Sequence, residues 1–442
     1  MKKLLLLMAL AMVVLFTAAG CGGKTPLTIW VGSESEAFYT AKMEEYKALY
    51  LETTGEEFPH EIAVKGVDTG TAASTFLDDT EAGADIFTAA HDNLGKLIAG
   101  SSSVAPVQSQ ALLDQIQADN PASFLEVIKG TVNGTEYTFG IPYIAQSLVL
   151  YYNKAFITET QAQTWEGILE AAVDNNKQAL SLAGTDGFNN SFILLATEAE
   201  TGDTSLKLYE NGVQENCFGT GDDTIAKLKW GQNFFNHPNG AKAPTDSGWE
   251  VELKDEISIS FIGGAWHYSA AKAALGDDLG ITILPTFTID ETEAYGDAVT
   301  GTVYQSGTFA DTKAFFMKKG SAYQEYLEDI LLFLTSKDVQ EESFEQVQNL
   351  PAYKNAADEF AAFQEDTLDA QLAAAQVRMF EFGIPQPFGF SSKFNTYYYS
   401  KGAPELILEI LKNPNGNLTT HEAILAQMQK VESLWKTGLQ PQ

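Results

Sequence analysis

Apolar residues recur along this chain in two rhythms. LTIWV (27–31), HEIAVKGV (60–67) and ADIFTAA (84–90) are short runs of the kind that form buried strands. Between them the apolar positions return at helical spacing. Phe38, Met43, Tyr46, Leu49 and Tyr50 mark one helix over 34–50, and a second is expected over 71–82. Strands alternating with helices predict α/β units and a mainly parallel sheet. The middle of the chain changes character. VNGTEYTFGIPYIAQSLVLYYNK (132–154) predicts a hairpin turning at Asn133-Gly134, then a long strand through Pro142. Thr164 stands as N-cap to a helix, and further helices are expected near 189–200 and 224–236. ISISFIGGAWHYSAAKAAL (257–275) predicts a strand, a glycine turn and a helix; GITILPTF (280–287) predicts another strand. From about Ser321 the pattern is largely helical. No fixed-period repeat and no low-complexity linker interrupts the chain, so two lobes sharing several chain crossings are expected.

The first residues obey a different logic. Lys2 and Lys3 precede an unbroken apolar run from Leu4 to Phe16, and Ala18-Ala19-Gly20 follow. Charge, greasy core and small-residue exit make a secretory signal. The run is shorter than the about 20 apolar residues of a membrane span. Roughly 420 residues remain, enough for two or three domains. Hydrophobic content of 45% and charged content of 19% are those of a globular protein. The formal net charge of −32, from 59 acidic and 27 basic residues, argues against nucleic acid and against docking on anionic lipid by charge. It fits a strongly solvated surface. No EF-hand, Walker A, G-x-S-x-G or H-E-x-x-H pattern is present, and the five histidines lack metal-ligand spacing. No metal, cofactor or catalytic residue is therefore expected.

Cys21, directly after small residues, resembles the lipobox of bacterial lipoproteins, with Ala18 where leucine is usual. The resemblance implies that residues 1–20 are a signal peptide and that the Cys21 thiol carries a diacylglycerol on a tether, 21–26. Cys217, in the polar context NGVQENCFGTGDD, is then left without a disulfide partner and reads as a structural thiol.

Several separated stretches carry a second resemblance. They are LTIWV, ADIFTAAHDNLGKL (84–97), YTFGIPYIAQSLVLYYNKAF (137–156), TWEGI (164–168), SFIGGAWHYSAAK (260–272), ITILPTF (281–287), FLTSKDVQEESF (333–344) and GIPQPF (383–388). In this order they resemble the extracellular solute-binding proteins of ABC sugar importers, of the maltose/maltodextrin-binding type. The resemblance implies a two-lobe, periplasmic-binding-protein-like α/β fold around a ligand cleft. Residues 27–142 plus 288–335 would form one lobe, and 143–287 plus 336–442 the other. Its hinge would have crossings at Pro142–Gln146, at Leu284–Phe287 and near Ser336. It also implies a monomeric receptor held at the outer face of the cell membrane by its lipid alone, with a carbohydrate ligand and an ABC permease as partners.

A sugar site needs an aromatic floor for ring faces and planar polar groups for hydroxyl pairs. Trp266 and Tyr268, after Gly263-Gly264, are the aromatic candidates at a helix start, and the family role of this tryptophan is to stack on sugar. Asp92 and Asn93 follow a strand, where α/β folds present ligand contacts, and Glu34 follows the first strand by the same logic. Gln146 aligns with a family carboxylate, and Phe394 offers a further platform. Ala89 and Asn93 replace a family aromatic and a basic residue, and Asn189 and Asn190 stand where maltodextrin binders offer a stacking tyrosine, with Phe188 beside them. Those departures bear on maltodextrin itself rather than on sugar binding. The rival reading, a secreted carbohydrate-active hydrolase, would require a pair of carboxyls flanking the scissile bond.

Overall fold

The structure, a computed structural model, describes residues 25–99, 102–182, 189, 191–202, 221–242, 248–354, 356, 367–381, 383–385 and 402–439. The first three strands pair in parallel, but both large sheets are mixed rather than mainly parallel. Leu27–Val31 lies between Ile62–Gly66 and Ile86–Ala90, parallel to both. Leu27, Ile29 and Val31 are buried and alternate with half-buried Thr28 and Trp30, which is the period of a pleated strand. Ile86–Ala90 then pairs antiparallel with a long strand, Phe309–Lys318, which also carries Ile141–Gln146 and Val104–Ala105 on its other side. This seven-stranded sheet, whose far edge is Ile384–Pro385, supports one hydrophobic core. Tyr39, Met43 and Tyr46 of helix Glu36–Thr54 fill it together with Phe315, Leu327 and Leu331.

A second core surrounds a five-stranded sheet ordered Ala241–Lys242, Leu180–Ser181, Ser260–Gly263, Val149–Asn153, Leu279–Thr282. Trp165, the first residue of helix Trp165–Asn175, is fully buried there, and Thr164 caps that helix by accepting from Gly167 N at 3.0 Å. The last helices, Leu368–Glu381, Ala403–Lys412 and His421–Leu439, pack on the same core through Met379, Ile410 and Met428. The hairpin turn expected at Asn133-Gly134 is present, both residues having positive φ (52° and 79°) as a two-residue turn demands.

Five further expectations are corrected. The long strand expected through Pro142 is two strands, Ile141–Gln146 and Val149–Asn153, and they belong to different sheets. Because Gln146 still pairs with Asp311 in the first sheet, the chain passes between sheets at Ser147 and Leu148, beyond the 142–146 segment. Phe287, Ile289 and Tyr304 belong to the second core, so the return passage lies at 306–308 rather than at 284–287. Helix Lys337–Val347 still packs its Val339 into the first core, which moves the third passage beyond 347. The helix expected over 189–200 is also absent from its described residues: 191–195 turn tightly, and Thr197–Glu198 pairs with Val303–Gln305. Phe192 to Ala196 are buried on every side, and their carbonyls serve other partners. Gly307 N donates to Phe192 O at 3.0 Å, and Lys227 Nζ to Ala196 O at 2.8 Å.

Candidate functional site

The passages between the two sheets are bound to one another. Ala145 N donates to Leu350 O at 2.8 Å, Ser147 Oγ to Gln376 O at 2.8 Å, and Leu148 N to Thr308 Oγ1 at 3.1 Å. A narrow pocket opens beside this seam. It is lined by Glu34, Gln146, Trp266, Lys313, Asn349 and Gln376, with Gln348 and a few apolar neighbours. Three of the residues expected from the sequence, Glu34, Gln146 and Trp266, are thus brought together from three distant elements.

Glu34 sits in the single turn after the first strand, and Gln146 ends its strand almost fully buried. Trp266 is 42% exposed although it adjoins the second core. The turn before it explains this. A β-carbon on Gly264 would lie 2.1 Å from the indole, so only glycine lets the ring fold back over the backbone, and Tyr151 Oη donates to Gly264 O at 2.9 Å to hold the turn. His267 beside it packs its ring against Trp249 and Phe261, and burial pushes its pKa down to about 4.

Tyr268 is not the second half of an exposed aromatic pair. It is buried, and its hydroxyl donates to Asp369 Oδ1 at 2.5 Å, tying helix Tyr268–Leu275 to helix Leu368–Glu381. Tyr268 opens the helix, and two positions of helical turn rotate a side chain by about 200°, so Tyr268 points to the core while the Trp266 indole points out. Asp92 and Asn93 follow strand Ile86–Ala90 as expected but are not brought to the pocket. Asn93 is buried and spends its amide on Asp92 Oδ1 at 2.6 Å and Ala90 O at 3.0 Å. Phe394, Phe188, Asn190, Cys21 and Cys217 lie outside the described residues, whereas Asn189 is described and buried.

Sequence reading missed Lys313, Asn349 and Gln376. Lys313 stands on the long strand, nine-tenths buried, with Nζ 4.0 Å from Glu34 Oε1. Burial pulls its pKa below the usual lysine value, and Glu34, Asp311 and Asp68 oppose that. A lysine inside the apolar strand FADTKAFFMK, and a glutamine inside the helix stretch LAAAQV, were the available signals. Asn349 follows a helix end and donates to Ser35 Oγ and Ser343 Oγ, each at 3.1 Å, so it braces the pocket wall.

The pocket has a volume of about 30 Å³, room for a couple of waters, against roughly 300–1,000 Å³ for an ordinary ligand site. A larger hollow of about 980 Å³ lies at the other end of the first sheet, near Thr25, Asp85, Lys318 and Tyr323. Two of its charged groups are already engaged. Asp85 accepts from Thr28 N and Ser321 Oγ, and Lys318 donates to Glu81 O. Ligands of α/β sheets bind beyond the carboxyl ends of the strands, which is where Glu34 stands and that hollow does not.

Known proteins bear on this geometry. Residues 46–371, well over half of the chain, match the family model described as bacterial extracellular solute-binding protein. The chain belongs to this family. Among curated solute-binding proteins, it is 23% identical over 388 residues to the maltooligosaccharide ABC transporter solute-binding lipoprotein of Streptococcus pneumoniae R6, covering 83% of each chain. It is 24% identical over 408 residues to the maltodextrin-binding protein of Bacillus subtilis 168, covering 88% of each. Its fold is shared with solved solute-binding structures. A maltodextrin-binding protein of L. casei BL23 without ligand matches with a TM-score of 0.69 at 16% identity, over 93% of this chain and 98% of that one. A cyclo/maltodextrin-binding protein complexed with maltotetraose matches with a TM-score of 0.67 at 17% identity, over 95% and 99%. The two-lobe solute-binding fold thus accounts for both sheets and for the seam between them.

Proposed function

We propose that this protein captures a maltodextrin-like oligosaccharide outside the cell membrane and delivers it to an ABC permease. The observation that carries the reading is an exposed indole, Trp266, sharing one pocket with amide and carboxylate side chains from the facing sheet. An aromatic face takes the apolar face of a pyranose, and Glu34 and Gln146 take its hydroxyls. Glu34 and Lys313 bring opposite charges to the pocket, which suits an uncharged ligand. The curated relatives named for maltooligosaccharide and maltodextrin support the same ligand class.

Glu34 is the carboxylate lining this pocket among the described residues, whereas a glycosidase needs two flanking the bond. The reading as a binder has its own check: a chromogenic maltooligosaccharide should pass through unhydrolysed. The lobes are 27–146 with 309–347, and 148–307 with the helices from 368 onward. A diacylglycerol on Cys21 would tether the receptor to the outer face of the membrane, as lipoprotein relatives are named. Membrane partition that is lost in Cys21→Ser would check the anchor.

Isothermal titration with maltose through maltoheptaose tests the ligand. At least one member of the series should bind, and Trp266→Ala should weaken it at least tenfold, since losing an aromatic anchor costs about 2 kcal/mol or more. Saturating sugar with no heat and no shift in melting temperature would overturn the reading.

A further inference from the structure

We propose that Gln376 forms a hydroxyl subsite at the floor of the cleft, its side-chain amide donating Nε2–H to an uncharged acceptor oxygen of the ligand. The inference rests on the sugar-binding reading and adds a specificity-determining contact to it. Gln376 is 1% exposed, it lines the same pocket as Trp266 and Gln146, and its Nε2 has no hydrogen-bond partner among the described residues. Buried amides are almost always bonded, so a buried donor without a partner facing a polar pocket marks a place where a partner arrives.

The surroundings say what kind of partner. Asn349, on the same pocket, is spent on two serines. The charged pair Glu34 and Lys313 answer each other. Among the pocket's amides, Gln376 is the one whose donor is fully buried and without a partner among the described residues. It is also held in place. Its own carbonyl accepts from Ser147 Oγ at 2.8 Å, its neighbour Ala375 packs in the second core, and Val377 packs in a small cluster with Phe124, Ala145 and Leu350. A donor fixed at the seam can bond a ligand without first being ordered, and it meets the ligand only when the cleft has admitted it. A sugar hydroxyl, ring oxygen or glycosidic oxygen is the acceptor of matching chemistry.

The test compares wild type with Gln376→Met, which keeps the volume and removes the donor, by calorimetry with maltotriose and by melting without ligand. Affinity should fall about tenfold, and the ligand-free melting temperature should hold or rise because an unpartnered buried donor is gone. In the wild type, a side-chain amide signal in the nitrogen-15 spectrum, identified by its loss in Gln376→Glu, should move on saturation with sugar. Wild type that binds maltotriose while Gln376→Met binds equally well or more tightly, or while that amide signal stays still, would overturn the subsite and leave sugar binding intact. Wild type that binds none of the maltooligosaccharides would overturn both.

Discussion

Tyr268 and Trp266 stand two residues apart and do opposite work. The Tyr268 hydroxyl is bound to Asp369 and its ring lies in the second core, so Tyr268→Phe should lower the unfolding free energy by about 1 kcal/mol and leave ligand affinity unchanged. Equal affinity by titration and a small fall in a denaturation midpoint are the expected pair of results. A tenfold affinity loss would instead return Tyr268 to the ligand. His267, between them, makes the stability of this corner depend on pH. Burial holds its folded pKa at about 4 against 6.5 for the free ring. Above pH 6.5 both folded and unfolded chains carry the neutral ring and nothing is lost. As pH falls from 6.5 toward about 4, the unfolded chain takes up a proton that the folded ring refuses, so stability declines across that window. In His267→Phe, which keeps an aromatic ring against Trp249 and Phe261, the melting temperature should fall less between pH 7 and pH 4 than in the wild type. Identical falls would mean that this ring takes no part in the acid response.

Two glycines separate what an element needs for its site from what it needs to fold. At Gly264 a β-carbon would strike the indole of Trp266, a side chain that can swing into solvent. At Gly307 it would lie 1.9 Å from Leu195 O, a backbone atom fixed in the second lobe. Gly264→Ala should therefore weaken binding much as Trp266→Ala does, with little change in melting. Gly307→Ala should destabilise by about 1–3 kcal/mol, as overpacking does. Titration and melting of both variants decide, and reversed effects would contradict the placement of the two turns. The same contrast explains what could be read from the sequence. Strands such as LTIWV announce themselves because alternate positions are buried on a pleat, and Thr164 or Asn133-Gly134 because local chemistry fixes them. The Gly263-Gly264 turn foretold an exposed aromatic, yet it could not foretell that Tyr268 would turn inward one helical step later. The strand passages were misplaced because the hydrophobic run IPYIAQSLVLYY does not reveal which sheet its halves join; strand pairing over 150 residues away, with Phe309–Lys318, decides that. Lys313 and Gln376 stayed hidden for the same reason, since a polar residue in a buried element gains its role from partners distant in sequence.

At the scale of the whole molecule the narrowness of the pocket becomes a statement about motion. A space of about 30 Å³ between the sheets cannot take a sugar ring, so a ligand enters only when the lobes part. The passages at Ser147-Leu148 and at 306–308 are short and hydrogen-bonded to each other, and they join two lobes with separate hydrophobic cores. On the proposed reading such a seam would bend while each core stays intact, which is hinge closure. Trp266 and Glu34 already meet solvent, and parting the lobes would wet the buried Gln146 and Lys313 as well. On the same reading, sugar bound to Trp266 on one lobe and to Glu34 and Gln146 on the other would stabilise the closed arrangement alone. A ligand shifts an equilibrium only by its differential affinity for the two states, and contacts from both lobes supply that difference. Small-angle scattering should accordingly show a smaller radius of gyration with saturating maltooligosaccharide than without it. Trp266→Ala, which removes one side of the bridge, should need at least tenfold more sugar to reach the same compact form. If calorimetry proves that a sugar binds while the radius of gyration stays constant, the lobes do not close on it, and the ligand is held by one lobe only.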